Sequence, residues 1–441
     1  MQSTLRRKLI VNRWAGRRAK AQYNHRKEWF STKRSCKDID LRNWRVVLPW
    51  VRDCILRHKR RHDFRNLLKK HGMSLTEYFK ALDEQDNTIL EPYIINIAKE
   101  AVARIAAREL NLPPVRIRVR YDHTTMKERL IGDETPMQQV FDYIVVWGTM
   151  PVFKRRLVIQ QASSIKGRGQ NYGVGMIRHW VKADNKAIRW AKKHKRHYSS
   201  KCKWHVKMDA KKCYPSADMD IFLNLLRRDC ANEDVLWLWE ILLSSHRVGG
   251  YKGFMIGALP SQWAVQYMFS FAYRHLMNTY GNKRRGKRQK LASHSLIFMD
   301  DILITGTSRK NLILAANSLT SFAKQKLGFT LKSNWHIKNI DVDGIDMMGF
   351  VIHRNGKITL RARNFIHSRR LVLRYMRVKR LHLPQARRVV SYKGFYDHSD
   401  TKTVVRKLGM SAAFKCAAKV VSDYDRRLSK NGEGFLSGKT K

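Results

Sequence analysis

Three carboxylates set the chemistry this 441-residue chain can do. Asp300 and Asp301 are adjacent inside Ser295-Leu-Ile-Phe-Met-Asp300-Asp301-Ile-Leu-Ile-Thr305, flanked by two apolar runs rich in β-formers. The pattern predicts a hairpin with the acids at its tip. Two carboxylates packed side by side among apolar strands repel each other unless a cation lies between them. A third acid, Asp209, closes the strand-like run Trp204-His-Val-Lys-Met-Asp209, and Pro215 forces a turn soon after. Brought beside the hairpin, it completes a ligand set for two Mg²⁺ ions about 4 Å apart, the arrangement used for in-line phosphoryl transfer. One ion would activate an attacking hydroxyl and the other would neutralise the phosphates and the leaving group.

The rest of the chain suits a polyanionic substrate. Lys and Arg number 89 against 35 Asp and Glu, a net charge of +54. That is about one net positive charge per eight residues, a field that attracts nucleic acid. Apolar residues at 43% and aromatics at 10% exclude a mainly disordered tail. The length suggests about three domains or subdomains. No run of about 18 apolar residues predicts a membrane span, and the N-terminus shows no apolar leader segment, so a cytoplasmic protein with no membrane partner is expected. The six cysteines form no CxxC pair and read as reduced, mostly buried thiols. Basic runs recur at Arg57–Arg65, Lys192–His197, Lys283–Lys290 and Arg369–Arg388.

Local signals place the upstream elements. Ser74-x-x-Glu77 predicts a capping box opening a short helix. Pro92 predicts the first turn of a longer helix that ends before Pro113-Pro114. Val115-Arg-Ile-Arg-Val-Arg-Tyr121 alternates strictly, which predicts a strand with Val115, Ile117, Val119 and Tyr121 on one face. Arg116, Arg118 and Arg120 then form a phosphate-facing wall on the other.

These segments together resemble the reverse transcriptases. Trp204–Ser216 resembles their motif A, and Phe-Met-Asp300-Asp301 their x-Asp-Asp motif C. Met255-Ile-Gly257-Ala-Leu-Pro-Ser261-Gln262 resembles motif B, and Leu327–Trp335 resembles motif D. Gly344–Phe350, with a hairpin turning at Asn355-Gly356, resembles the primer grip. Lys127-x-Arg129 and Ser163–Gly169 are similar to fingers segments, and Ser391–Asp400 to a thumb helix. The resemblance covers roughly residues 110–430, with the motifs in the family's order. Within the family, the form at motif B resembles the bacterial enzymes of diversity-generating retroelements and of unclassified groups linked to phage defence.

The resemblance implies an α+β right-hand polymerase. Residues 1–109 would be a basic, mainly helical, RNA-binding extension, 110–200 the fingers, 201–360 the palm, and 361–441 a helical thumb with a basic tail. Asp209, Asp300 and Asp301 would be catalytic and, with Ala210, would hold two Mg²⁺ ions, or Mn²⁺ in their place. Lys127, Arg129, Ala210, Tyr214, Ile256, Gly257, Ser261 and Gln262 would line a dNTP pocket, with Tyr214 excluding a ribose 2′-hydroxyl. Arg116, Arg118, Arg120, Lys166, Arg168, Arg369, Arg370, Arg387 and Arg388 would contact nucleic acid. The implied partners are a structured or noncoding RNA template, a DNA primer or product and dNTPs, with an accessory protein or a second copy of the chain.

Two positions depart from the pattern. Ile256 stands where most members have glutamine against the incoming nucleotide, which predicts relaxed geometric checking. Trp335 stands where many have the motif D lysine, leaving Lys332, His336 and Lys338 as alternative proton donors. An RNA-dependent RNA polymerase is a rival, opposed by Tyr214. A catalytically silent RNA-binding scaffold is another, opposed by the instability of a cluster of unpaired acids.

Overall fold

The computed structural model describes residues 34–122, 127–247, 253–282, 288–378 and 380–436. The fold mixes helices and antiparallel sheet, with helices in the majority, and no described helix is long and apolar enough to cross a membrane. β1 (Arg116–Asp122) and β2 (Lys127–Asp133) form a ribbon. β3 (Trp204–Asp209) follows the long helix Gln170–Lys193. β4 (Tyr280–Asn282) and β5 (Arg288–Lys290) pair as a second ribbon. β6 (His294–Phe298), β7 (Asp301–Gly306) and β8 (Ile337–Asn339) join β3 in a sheet of order β6-β7-β3-β8. β9 (Ile345–Met347), β10 (Phe350–Ile352) and β11 (Ile358–Leu360) form a separate three-stranded meander.

The continuous apolar runs of β6 and β7 follow from burial on both faces. Ile297, Ile302 and Ile304 point into the main core beneath the helices Leu259–Met277 and Arg309–Leu327. Leu296 and Leu303, of opposite parity, enter a second core with Val174, Ile177 and Trp180 of the long helix and Phe350 of β10. Successive residues of a strand face opposite sides, so a strand covered on both sides must be apolar at every position.

The capping box at Ser74 and Glu77 is present, and the helix containing Pro92 spans Glu91–Ala106. Residues from Cys36 onward do not stand apart as an appendage. Val47, Val51, Ile94 and Ile97 share the main core with Val140, Phe222, Tyr267 and Ile302. The amphipathic helix Trp44–His58 packs against Glu91–Ala106 and Pro136–Gly148. Residues 1–33 and most of the basic run Lys283–Lys290 lie outside the described residues. Helices Ala362–Met376, Leu383–Asp397, Lys402–Lys407 and Met410–Leu436 close around a third core containing Leu371, Val389, Tyr396 and Phe414.

The strand expected at 115–121 forms, but its apolar face is not buried. Only Val115 is in the interior, where its N–H donates to the Ser245 carbonyl. Beyond it Ile117, Val119 and Tyr121 are exposed, as are Arg116, Arg118 and Arg120. Alternation separates two faces without saying whether anything covers either, and this ribbon projects past the core.

Candidate active site

β6 and β7 pair with Phe298 opposite Asp301, leaving Met299 and Asp300 as a two-residue turn. Met299 has φ +54°, the left-handed conformation that tight hairpin turns demand. Its N–H donates to Ser163 Oγ at 2.8 Å, and the same oxygen accepts from Gln266 Nε2 at 2.8 Å. The backbone of Gln160 and Ala162 pairs with Ile297, extending the support along β6. The tip is thus fixed by buried side chains from the segment before the long helix and from the helix Leu259–Met277.

β3 lies on the other side of β7 with Asp209 directly opposite Asp301. Ala210 N–H then donates to the Asp300 carbonyl at 3.1 Å, and Lys332 N–H to the Asp209 carbonyl at 2.9 Å. Three segments distant in sequence therefore bring Asp209, Asp300 and Asp301 to one end of the sheet. Burial pushes the Asp300 carboxyl upward, and the charges of Asp301 and Asp209 push it further. Burial also raises Asp301, against the opposing pull of Lys207.

Two lysines partly offset this repulsion. Lys207 Nζ lies 2.8 Å from Asp301 Oδ2, a diagonal pair across β3 and β7. Lys332 Nζ pairs with Asp209 Oδ2, and that bond raises the lysine's own pKa. Asp209 Oδ1 is buried with no hydrogen-bond partner among the described residues. The same residues present no ready-made group of three His, Cys, Asp or Glu side chains at ligand spacing. The set still fits a divalent cation in its chemistry: hard oxygen donors, a buried unsatisfied carboxylate oxygen, and acids whose charge burial disfavours. The lysine pairs weaken the stability argument against a silent scaffold, because two of the acids already have a counter-charge.

The expected nucleotide-pocket residues gather only in part. Tyr214 is half-buried in the one-turn helix Cys213–Ser216, its phenol pushed up to about 12 by burial. Its carbonyl accepts from Phe254 N–H at 2.9 Å, locking this turn onto the segment leading to Ile256. The Ile256 carbonyl accepts from Gly132 N–H at 3.0 Å, so β2 docks beside Ile256 and Gly257. Gly257 is exposed and has φ +110°, a backbone conformation that favours glycine. Arg129 is exposed on β2, while the side chain of Lys127 lies outside the described residues. Gln262 is half-buried. Ser261, expected to line the pocket, is instead fully buried at the start of the helix Leu259–Met277. Ala210 is buried too, its N–H taken by Asp300.

Among the expected nucleic-acid contacts, Lys166, Arg369, Arg370, Arg387 and Arg388 are exposed. Arg168 is committed to the Val158 carbonyl at 2.8 Å, and Arg118 pairs with Asp133 at 2.5 Å. Of the three alternative proton donors, Lys332 reaches the carboxylates, whereas Lys338 pairs with His205 four residues down β3. The sequence expectations do not include Lys207, Gln266 or the hydrogen bond of Ser163 to the hairpin tip. Lys207 carried a usable signal, being two residues before Asp209 and so on the same strand face. Comparison with models of known protein families finds no match, and no curated protein matches the chain.

Proposed function

We propose that the chain is an RNA-directed DNA polymerase, copying an RNA template into DNA by nucleotidyl transfer. The observation that carries this reading is the convergence of Asp209, Asp300 and Asp301 from β3 and the β6–β7 turn, with Tyr214 close enough to feel the Asp300 charge. Asp209 and Asp300 would hold divalent cations, with Asp301 in support. When bound, such ions lower the pKa of a 3′-hydroxyl and neutralise the departing pyrophosphate. The chain's own residues do the positioning. Ser163 and Gln266 fix the turn that presents Asp300, and Tyr214 would exclude a ribose 2′-hydroxyl, as the resemblance of its segment to motif A implies.

A right-hand arrangement fits the same reading, with the β6-β7-β3-β8 sheet as palm, the β1–β2 ribbon as part of the fingers and the helices after Arg361 as thumb. The exposed arginines of ribbon and thumb segments suit the phosphates of an A-form duplex. The cognate template would be a structured RNA, in a diversity-generating element or a defence system. Saturating Mg²⁺ should raise the melting temperature of the wild type and leave an Asp209→Asn/Asp300→Asn variant unmoved, because a ligand that binds only the folded state stabilises it by mass action. Equal responses would remove the metal site and the reading with it.

A further inference from the structure

The helix Gln170–Lys193 buries Val174, Ile177, Trp180 and Val181 in the second core. Its opposite side carries Lys182, Lys186, Arg189 and Lys193, spaced four, three and four residues apart, so they stack into one ridge. All four are exposed, and among the described residues no ion pair engages any of them. The acid on this helix, Asp184, is buried and held by Tyr198, Ser200 and Arg354. No further Asp or Glu occurs before Asp209.

The ridge runs about 16 Å along the helix axis. At its end Lys195 turns the chain with φ +48°, and Arg196 folds back with its guanidinium 5.6 Å from the centre of the Trp190 ring. His194 packs 4.6 Å from the same ring, yet Trp190 remains 52% exposed. Like charges at helical neighbour spacing oppose one another and cost helix stability, so this ridge is built for a counter-charge that the described residues do not supply. A large exposed aromatic beside it adds a stacking surface.

We propose that this ridge and Trp190 form a docking surface for an RNA strand, separate from the carboxylate site. Phosphates would lie on Lys182, Lys186, Arg189, Lys193 and Arg196, with a base against the open part of the Trp190 ring. An anionic membrane fits less well, because an interfacial helix needs a free apolar face and this one has buried its own. Gln170, at the other end of the helix, bonds the Met348 carbonyl. Lys193 lies about 35 Å farther along the helix axis. The surface goes beyond the polymerase reading and does not depend on it.

Full-length protein is titrated with labelled oligo(rU) of about 30 nucleotides at several salt concentrations. The variant Lys182→Glu/Lys186→Glu/Lys193→Glu is compared with a control of equal charge change, Lys310→Glu/Lys324→Glu/Lys326→Glu, on exposed positions of the helix Arg309–Leu327. The ridge variant should bind at least about ten-fold more weakly, with a salt slope smaller by about 2, and the control should change less than about two-fold. Trp190→Ala should cost roughly ten-fold through lost stacking. The ridge variant's melting temperature should equal or exceed the wild type's, which separates lost binding from lost folding. Equal weakening in both triple variants would overturn the proposal. So would wild-type RNA affinity in the ridge and Trp190→Ala variants, including the case where only binding to phosphatidylserine vesicles is lost.

Discussion

Gly253 makes a sharp prediction because backbone leaves it no room. A methyl on Gly253 would lie 2.6 Å from Pro215 Cα and closer still to the Pro215 carbonyl, whereas ordinary contact begins at 3.4 Å. The obstacle is main chain, so no side-chain rotation relieves it, and the segment carrying Phe254 must part from the turn carrying Tyr214 by at least the 0.8 Å difference. Gly253→Ala gains about 0.4–1 kcal/mol by restricting the unfolded chain. Overpacking costs about 1–3 kcal/mol, and more against rigid backbone, so the net change is destabilising. The functional consequence is larger, since a displacement of roughly 1 Å at a positioned group can cost about 100-fold. With Tyr214 displaced, discrimination between dNTP and rNTP should fall by about ten-fold or more, alongside a melting temperature a few degrees lower. Single-nucleotide extension with each substrate, paired with thermal melts, reads both. A Gly253→Ala protein with wild-type melting temperature would refute the packing argument, and a destabilised one with wild-type sugar discrimination would refute Tyr214's role.

Other perturbations test separate parts of the site. Ser163→Ala strands the Met299 N–H at the hairpin tip, and should cost about 1–3 kcal/mol in urea denaturation while slowing incorporation more than it weakens template binding. Ile256→Gln restores a polar group beside the Gly132 contact and should lower misincorporation; an error rate no lower than wild type's would count against it. Burial holds His205 down at about 4, so the folded ring stays neutral while the unfolded one gains a proton below about 6.5. Stability is therefore intact above pH 6.5 and falls by about 3 kcal/mol as the pH drops towards 4; His205→Gln should flatten that decline in pH-dependent denaturation.

The hairpin was legible because its signal is local: two apolar runs of strand length separated by residues that tolerate a tight turn. The opposition of Asp209 to Asp301 needed a register between distant strands, which the side-chain pattern restricts but the packing of Ile302 and Ile304 against the main core decides. The Lys207–Asp301 pair depends on that same register. The exposed face of Ile117 and Val119 shows where periodicity runs out, since alternation reports two faces and not what covers them. Helical amphipathicity at Trp44–His58 likewise announces a buried face, yet only the fold reveals that it seals the main core. Ser261 illustrates the converse: its motif position suggested a pocket, and its helix turns the hydroxyl inward.

The most direct test of the central claim is labelled-dNTP incorporation in Mg²⁺ on an RNA template with a DNA primer, with wild type and Asp300→Asn/Asp301→Asn side by side. The account predicts template-dependent DNA synthesis by the wild type alone. Incorporation by both proteins would show that the carboxylates do not catalyse it. Absence of synthesis by either, with RNA still bound and the native RNA locus supplied, would mean an RNA-binding scaffold whose acids rest on Lys207 and Lys332.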